Sequence, residues 1–205
     1  MNNKPSLTNK NFVRAHKVLH DVVDFFDQTN IDYQLEGGTL LGIVRDNSLL
    51  PWDHDIDLSV SIQDSEKLSR NTYKLLLKGY RIKKRKMEVS HGPLKEGNLR
   101  IIKVKRFIPS ILKFIFPSFN KHMVVADIFV KASDNDHTYW QAQKKILRVC
   151  KSHYSSFDTV EFQNKELKVP NNYKEYLTQK YGNWKVPVKC WKCSDHELTI
   201  IGNAV

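Results

Sequence analysis

The sequence has little cysteine and no long apolar run. Its three cysteines, Cys150, Cys190 and Cys193, are too few to stabilise a small disulfide scaffold. No stretch approaches the roughly 18 consecutive apolar residues of a membrane-spanning helix, and residues 1–10 are polar, with no apolar core of signal-peptide length. Internal repeats and low-complexity tracts are also missing, which excludes solenoid and fibrous proteins. We therefore expect a globular protein in the cytoplasm.

Acidic residues are the scarcer charge. The chain has 22 Asp and Glu against 33 Lys and Arg, a formal net charge of +11. This excess favours a negatively charged partner, and nucleic acid, an anionic membrane surface and a phosphorylated substrate all fit it. The 205 residues, with 4 Trp, 8 Tyr and 10 Phe, are enough to bury the core of a folded domain. The net charge predicts association with an anionic partner, whereas it does not indicate the fold.

Hydrophobic spacing predicts a mixture of helices and strands. Apolar residues at three- and four-residue steps predict a helix over 9–28, and alternation predicts strands over 32–36 and 54–60. We further expect helices over 39–45, 63–78, 136–150 and 171–181, strands over 80–87, 99–106 and 123–130, a hairpin over 159–169 and an irregular segment over 186–205. The expected architecture is one α+β domain, residues 1–205, with a mixed central sheet flanked by helices.

The main functional signal is a set of carboxylates near a glycine pair. Asp55 and Asp57 lie two residues apart in a predicted strand, so both side chains face the same way, as joint binding of Mg²⁺ or Mn²⁺ requires. Asp127 lies alone in an apolar run, and a third carboxylate from a neighbouring strand would complete a two-metal arrangement. Gly37-Gly38, between a strand and a helix, offers backbone N–H groups to a phosphate. Each feature alone also has a structural explanation, as a solvated strand face, a buried paired acid or a turn.

These motifs carry a family resemblance. The segment Glu36 to Arg45 (EGGTLLGIVR), followed by Pro51 to Leu58 (PWDHDIDL), resembles the first sequence block of the LicD family, which includes bacterial phosphocholine transferases and is related to fukutin and fukutin-related protein. Val169 to Pro187 is similar to the second block of that family. The two blocks bracket residues 36–187, most of the chain.

The resemblance implies a nucleotidyltransferase-like fold and an activity. Members transfer a phosphorylated small group from a CDP-activated donor to a glycan hydroxyl, here on a surface polysaccharide such as capsule or lipopolysaccharide, or on a lipid-linked glycan. Phosphocholine from CDP-choline is the first donor we expect, with CDP-alditols, CDP-glycerol and CDP-ethanolamine left open. A nucleotidyltransferase that attaches the nucleotide itself is one alternative. A basic nucleic-acid-binding module is the other, although we expect no nucleic acid because the acidic cluster would repel a phosphate backbone.

The resemblance also implies roles for individual residues. Asp55 and Asp57 match the metal-binding pair and Asp53 matches the acid that precedes it, while His54 stands where many members carry another Asp. Asp127 resembles the third carboxylate of nucleotidyltransferase folds. We therefore expect metal binding by Asp53, Asp55, Asp57 and Asp127, with Asp127 as the base for the acceptor hydroxyl.

Four further residues are predicted to bind the donor phosphates. They are Gly37, Gly38, Thr39 and Arg45, of which Arg45 has the alternative of a structural salt bridge to the acidic loop. Tyr181 and Trp184 have two interpretations, a wall of the donor pocket or packing of the last helix.

Two other segments have weaker interpretations. Residues 106–121 mix apolar and basic side chains, which is typical of a segment at the anionic inner face of a membrane and also of an acceptor lid. The spacing of Cys150, His153, Cys190 and Cys193 suits a structural Zn²⁺ site, with His196 as a competing ligand and reduced free thiols as the alternative.

Overall fold

The computed structural model describes residues 10–107, 124–188 and 191–204. Its helices are α1 (Lys10–Thr29), α2 (Gly37–Asp46), α3 (Ser65–Asn71), α4 (Tyr73–Leu77), α5 (Ser152–Ser155), α6 (Tyr173–Tyr181) and α7 (Cys193–His196). Its strands are β1 (Gln34–Leu35), β2 (Asp55–Ser61), β3 (Tyr80–Lys86), β4 (Leu99–Arg106), β5 (Val125–Ser133), β6 (His137–Ala142), β7 (Lys145–Cys150), β8 (Phe157–Phe162), β9 (Lys165–Pro170) and β10 (Ile200–Asn203). Within these ranges no helix combines the length and the apolar character needed to cross a bilayer.

Eight of the described strands form one mixed sheet centred on β5. Strand β2 runs parallel to β5, and β4 runs antiparallel along its other side. The sheet continues outward through β1 next to β2 and through β3 next to β4, while the far end of β5 pairs with β6 and leads through β7 to β10. Strands β8 and β9 form a separate hairpin. This architecture confirms the predicted α+β class with a mixed sheet flanked by helices.

The centre of the sheet has one apolar and one polar face. Ile56 and Leu58 of β2 and Ala126 and Ile128 of β5 are buried in the same core cluster as the apolar stripe of α1, which packs on both strands. Because side chains alternate along a strand, the intervening residues of β2 and β5 point to the opposite face. The fold thus frees one face of its two central strands for polar chemistry.

Three predictions about elements were wrong. Residues 136–150 form the β6–β7 hairpin instead of a helix: Trp140 and Leu147 pair across it and are buried, and Gln143 at its two-residue turn has a φ of 54°. The segment predicted to be irregular contains α7 and β10, and β10 pairs with β7. The helix predicted over 63–78 is split into a 3₁₀ turn (Ile62–Asp64), α3 and α4.

The predicted interfacial or lid segment, residues 106–121, lies almost entirely outside the described residues. Only Arg106 and Phe107 are described, and both are exposed.

Candidate active site

Three carboxylates converge on the polar face of the sheet. Asp57 and Asp127 are direct neighbours across the parallel β2–β5 pair, and Asp55 precedes Asp57 by one alternation of β2. One carboxylate oxygen from each of the three lies within 4.8 Å of the others. No second group of three Asp, Glu, His or Cys side chains with such spacing occurs among the described residues. We call Asp55, Asp57 and Asp127 the carboxylate triad.

Asp57 has the least favourable charge environment in the triad. Burial raises the pKa of its carboxyl well above the usual value, and the charges of Asp55, Asp53, Asp127 and Glu36 raise this pKa further. A divalent cation between the carboxylates would offset the repulsion, and carboxylate oxygens are ligands that Mg²⁺ and Mn²⁺ prefer. The donor set therefore fits a hard divalent cation.

The glycine pair leaves space for two of the acids. Gly37 opens α2 with a φ of 54°, and a Cβ there would lie 2.3 Å from Oδ2 of Asp57. A Cβ at Gly38 would lie 1.8 Å from Oδ2 of Asp53. The first turn of a helix carries N–H groups without intrahelical acceptors and the positive end of the helix dipole. The start of α2 therefore lies directly against the acidic cluster and favours negative charge there.

Thr39 and Asp53 each accept a hydrogen bond from a backbone N–H group beside the triad. The hydroxyl of Thr39 accepts a hydrogen bond from the N–H of Asp57 at 2.9 Å, and the residue is buried. This side chain ties α2 to β2 and does not face the cleft. Asp53 accepts a hydrogen bond from the N–H of His54 at 2.9 Å and is not part of the triad. The structure thus groups three of the four predicted metal ligands.

Arg45 is held by its neighbours at the edge of the site. Its guanidinium donates two hydrogen bonds to the carboxylate of Asp46, both at 2.8 Å, and a third to the carbonyl of Trp184 at 3.3 Å. The guanidinium carbon also lies 6.0 Å from the ring centroid of Trp52. Arg45 therefore links α2 to the segment after α6. Its carboxylate partner is Asp46 of α2 and not the acidic loop that the structural alternative named.

A cleft of about 910 Å³ opens over the triad. On the β3–β4 side its wall carries Arg85, Arg100 and Lys103. Around β6, β7 and the C-terminal segments the lining is aromatic and basic and consists of Trp140, Tyr181, Trp184, Trp191, Lys144, Lys145, Lys180 and Lys192. Acidic groups in the middle and cations on both sides suit two anionic substrates that meet at the triad.

A buried ion pair lies below the cleft, and the sequence analysis missed it. Glu36 is 3% exposed. Its carboxylate accepts hydrogen bonds from the ammonium of Lys131 at 2.7 Å, from the hydroxyl of Ser59 at 2.8 Å and from the hydroxyl of Tyr176 at 2.7 Å. The Lys131 ammonium also lies 3.8 Å from the ring centroid of Trp140. A lysine inside an apolar strand was the available signal, because a buried ammonium requires a counter-charge.

Burial and charge shift the pKa values of this pair. Burial lowers the pKa of Lys131 to about 8, although the Glu36 charge opposes this change. Burial alone would raise the pKa of Glu36, but the charges of Lys131 and Lys180 outweigh it and the pKa is lowered. Glu36 is therefore a carboxylate at neutral pH.

A second buried ion pair attaches the C-terminal segment to the site. The ammonium of Lys180 on α6 lies 2.7 Å from the carboxylate of Glu197, and both side chains are almost fully buried. The N–H of Leu198 donates to the carbonyl of Lys180 at 3.1 Å, and the Lys180 ammonium lies 4.9 Å from the Trp140 ring centroid. Through these contacts, a segment that was predicted to be irregular forms part of one wall of the cleft.

The predicted zinc ligands have other neighbours where they are described. The hydroxyl of Ser152 donates to the thiol sulfur of Cys150 at 3.1 Å, and Nδ1 of His153 donates to the carbonyl of Asn171 at 2.8 Å. Cys190 lies outside the described residues. The zinc site stays a prediction.

Comparisons with known proteins point to one family. The family model described as LicD/FKTN/FKRP, nucleotidyltransferase domain, matches residues 30–172. The chain is similar to ribitol 5-phosphate transferase FKRP of Homo sapiens, with 42% identity over 43 residues that cover 21% of this chain and 9% of that protein. It is also similar to ribitol-5-phosphate transferase FKTN of Macaca fascicularis, with 25% identity over 183 residues that cover 86% of this chain and 34% of that protein.

Among solved structures, the chain is similar to the lincosamide antibiotic adenylyltransferase LnuA with lincomycin bound, at 16% identity and a TM-score of 0.45 over 84% of this chain and 85% of that one. The chain spans between 9% and 34% of the length of the curated relatives that it matches.

Proposed function

The chain belongs to the LicD/FKTN/FKRP family of nucleotidyltransferase domains, and we propose that it is a metal-dependent phosphotransferase. It moves a phosphorylated small group, phosphocholine or a phospho-alditol, from a CDP-linked donor to a sugar hydroxyl of a surface polysaccharide or a lipid-linked glycan. Two relatives that are named ribitol-5-phosphate transferases support a phosphorylated alditol as the transferred group. The convergence of Asp55, Asp57 and Asp127 is the observation that carries the proposal.

The triad and the start of α2 form the reaction centre of this proposal. Asp55, Asp57 and Asp127 would hold a Mg²⁺ or Mn²⁺ ion, which would supply charge neutralisation at the donor phosphates. The backbone N–H groups of Gly37 and Gly38 orient the phosphate oxygens, as helix N-termini do in other phosphate sites. Thr39 keeps this turn of α2 in place through its hydrogen bond to β2.

Asp127 acts on the acceptor in this scheme. Its carboxylate forms an ion pair with Lys103, the residue directly opposite on β4. The ammonium of Lys103 fixes the position of the carboxylate on the cleft floor. An acceptor hydroxyl bound beside it gives its proton to Asp127 as its oxygen forms the bond to the phosphorus of the transferred group. The phosphoanhydride bond from that phosphorus to the CMP oxygen breaks in the same step, and CMP leaves.

The aromatic side of the cleft suits the nucleotide of the donor. Tyr181 and Trp184 line the cleft together with Trp140, and aromatic rings in such a wall can stack on a pyrimidine base. Lys144 and Lys145, on the same side, supply positive charge for the diphosphate. The Trp184 indole N–H donates to the hydroxyl of Thr178 at 3.1 Å, so this ring also holds the end of α6.

A donor panel tests the reaction. Purified protein is incubated with CDP-choline, CDP-ribitol, CDP-glycerol, CDP-ethanolamine and nucleoside triphosphates, with Mg²⁺ or Mn²⁺ and with or without glycan acceptors, and release of CMP and pyrophosphate is measured. We expect CMP release from one of the CDP-linked donors, reduced by about 100-fold or more in Asp57→Asn. Asp64→Asn, in the 3₁₀ turn before α3, is the matched control and keeps wild-type activity.

Two results would contradict the proposal. Pyrophosphate release from a nucleoside triphosphate without CMP release from any CDP-linked donor identifies transfer of the nucleotide itself. Equal CMP release by wild type and Asp57→Asn would show that the triad takes no part in the reaction.

Salt-titrated binding to random RNA tests the separate expectation that the chain does not bind nucleic acid.

A further inference from the structure

An exposed apolar patch lies at the short helix α4. Tyr73, Leu76 and Leu77 are spaced by three and four residues, so their side chains adjoin on one face of the helix, and they are 52%, 51% and 83% exposed. The N–H of Phe107 donates to the carbonyl of Gly79 at 2.8 Å. This bond brings Phe107, which is 57% exposed, to the end of α4. We call Tyr73, Leu76, Leu77 and Phe107 the α4 apolar patch.

Packing against the core does not account for this patch. Leu75 is fully buried and attaches α4 to the core cluster, whereas its neighbours Leu76 and Leu77 are exposed. Single exposed apolar residues are ordinary on a protein surface, but several that adjoin one another are typical of a docking surface. The α4 apolar patch therefore indicates a partner that offers an apolar contact.

Basic residues surround the α4 apolar patch. The sequence has no acidic residue between Glu66 and Glu88. The basic residues in that interval are Lys67, Arg70, Lys74, Lys78, Arg81, Lys83, Lys84, Arg85 and Lys86. Arg106, next to Phe107, is also exposed. The segment predicted to lie at a membrane, residues 106–121, shares only these last two residues with this surface.

Two of these lysines lie on and directly after α4. The ammonium of Lys74 lies 3.4 Å from the carbonyl oxygen of Gln28, and the ammonium of Lys78 lies 3.5 Å from the carbonyl oxygen of Asp21. A carbonyl group has no net charge, so these contacts position the ammonium groups without neutralising them. The carboxylate of Asp21 is itself paired with Lys17 at 2.9 Å. This corner of the molecule therefore combines exposed apolar side chains with positive charge.

The α4 apolar patch and the triad lie towards the same end of the central sheet. One row of the register across β2, β5, β4 and β3 consists of Asp55, Val125, Lys105 and Arg81. Adjacent strands are about 4.8 Å apart, which places Arg81 about 14 Å from Asp55 along this row. Gly79, two residues before Arg81, follows α4 directly. A surface bound at α4 would therefore lie beside the end of the sheet that carries the triad.

We propose that the α4 apolar patch and its surrounding cations dock the protein on a bilayer that contains anionic lipid. The leucine and aromatic side chains enter the boundary between headgroups and acyl chains, and the lysine and arginine side chains bind the anionic headgroups at the same level. An acceptor carried on a lipid would then be presented near the triad, a consequence that rests on the proposed function.

Other partners fit this surface less well than a bilayer does. Two copies of the chain that met through it would bring their cations together and repel each other. A nucleic acid would pair with the lysines but would leave Leu76 and Leu77 without an apolar contact. A bilayer with anionic headgroups satisfies both kinds of side chain.

Vesicle binding by a pair of apolar double variants tests the proposal. Leu76→Ser with Leu77→Ser removes apolar side chains from the α4 apolar patch, and Val13→Ser with Leu198→Ser removes exposed apolar side chains elsewhere. Binding is measured by flotation with phosphatidylcholine vesicles that contain or lack phosphatidylglycerol. We expect wild type and the control to bind the vesicles with phosphatidylglycerol, and the Leu76/Leu77 variant to bind them about tenfold more weakly.

A second pair of double variants tests the charges. Lys74→Gln with Lys78→Gln removes two charges beside the α4 apolar patch, and Lys151→Gln with Lys174→Gln removes two charges elsewhere. We expect the Lys74/Lys78 variant to bind phosphatidylglycerol vesicles about tenfold more weakly than wild type and the control do. High salt should weaken the binding of wild type, because it screens the attraction between the lysines and the headgroups.

Thermal unfolding of every variant accompanies the binding measurements. We expect the Tm of the Leu76/Leu77 variant to stay at the wild-type value, because both leucines are exposed. If this variant does not fold, the Lys74/Lys78 variant and its control decide the test.

Other outcomes overturn the proposal. Absence of wild-type binding to phosphatidylglycerol vesicles, or unchanged binding in either the Leu76/Leu77 or the Lys74/Lys78 variant, shows that this surface does not dock on a bilayer. A lowered Tm of the Leu76/Leu77 variant, without vesicle binding by wild type, shows that another part of the same chain covers the patch. A wild-type dimer that becomes a monomer in this variant, measured by sedimentation, assigns the patch to a second copy.

Vesicle binding and CMP release are separate measurements. Absence of vesicle binding contradicts the docking surface alone. Absence of CMP release from every CDP-linked donor contradicts the proposed function and leaves the docking surface in place.

Discussion

At the scale of single residues, Glu36 and Lys131 determine where the start of α2 lies. Glu36 directly precedes Gly37, and its N–H donates to the carbonyl of Asp57 at 3.0 Å. Its carboxylate is bound to Lys131 of β5. The pair therefore joins α2, β2 and β5 at the point where Gly37 meets Asp57. A buried ion pair adds little net stability, but loss of one partner leaves the other charge buried and uncompensated.

We expect Lys131→Met to lower the free energy of unfolding by about 3 kcal/mol, because the Glu36 carboxylate loses its counter-charge. Adding Glu36→Gln should recover most of that loss, since the double variant buries no charge. Urea unfolding of both single variants and the double variant gives the coupling energy. Lys17→Met, which removes the surface pair with Asp21, is the control and should cost less than about 1 kcal/mol. Additive effects of the Lys131 and Glu36 substitutions would contradict the assigned role.

The lowered pKa of Lys131 predicts how stability depends on pH. The folded pKa is about 8, whereas the ordinary value is 10.5. Between these values the unfolded chain binds more protons at this lysine than the folded protein does, so the contribution of Lys131 to stability rises with pH. The difference in unfolding free energy between wild type and Lys131→Met should therefore widen from pH 7 to pH 9.5. Urea unfolding at several pH values checks this, and a constant or narrowing difference would count against a lowered pKa.

Among the secondary-structure elements, hydrophobic spacing predicted those whose conformation depends mainly on their own residues. The apolar stripe of α1 and the alternation in β2 predicted both elements and placed Asp55 and Asp57 on one face. The pattern of 136–150 fits either period, and pairing between Trp140 and Leu147 decides it in favour of strands. Strand β10 forms because β7 offers an edge, which no local pattern reveals.

In the site, as in the elements, local sequence predicted some residues, whereas contacts between distant segments could not be predicted. The position of Asp127 beside Asp57 depends on the β2–β5 register, so the sequence could indicate a third carboxylate but not its neighbour. The counter-charges of Lys131 and Lys180 come from residues distant in sequence, at Glu36 and Glu197. Such pairs become visible only when the chain is folded.

The close approach of Gly37 to Asp57 predicts that replacement by alanine has different effects on activity at Gly37 and at Gly79. Gly37→Ala introduces a Cβ 2.3 Å from the Asp57 carboxylate at a φ of 54°, whereas Gly79→Ala meets no atom within 4 Å at a φ of 82°. Both should lose about 1 kcal/mol of stability from the left-handed backbone. Only Gly37→Ala should lose most of the transferase activity, because its methyl group displaces Asp57. Thermal unfolding and CMP release separate the two effects, and equal activity of both variants would contradict the close approach of Gly37 to Asp57.

In the whole molecule, the centre of the cleft is acidic although the chain as a whole is basic. The chain carries +11 overall, yet its carboxylates cluster at the centre of the cleft and its cations line both sides. In the proposed function, the net positive charge would attract anionic substrates, and the acidic centre would bind the cation that accompanies them. If the triad binds a metal as proposed, the metal would stabilise the whole fold, since a ligand that binds only the folded state stabilises it.

We expect saturating Mn²⁺ or Mg²⁺ to raise the Tm of the wild-type protein by about 5 °C or more. Asp57→Asn should abolish this shift and should not lower the Tm of the metal-free protein, because it removes a buried carboxylate whose raised pKa reflects an unfavourable charge. Asp53→Asn should keep most of the shift, since Asp53 lies outside the triad. Calorimetry with and without a chelator measures all three proteins. If Asp53→Asn abolished the metal effect as completely as Asp57→Asn, the metal would be held by four carboxylates, as the family resemblance implies, and the triad would be only part of the site.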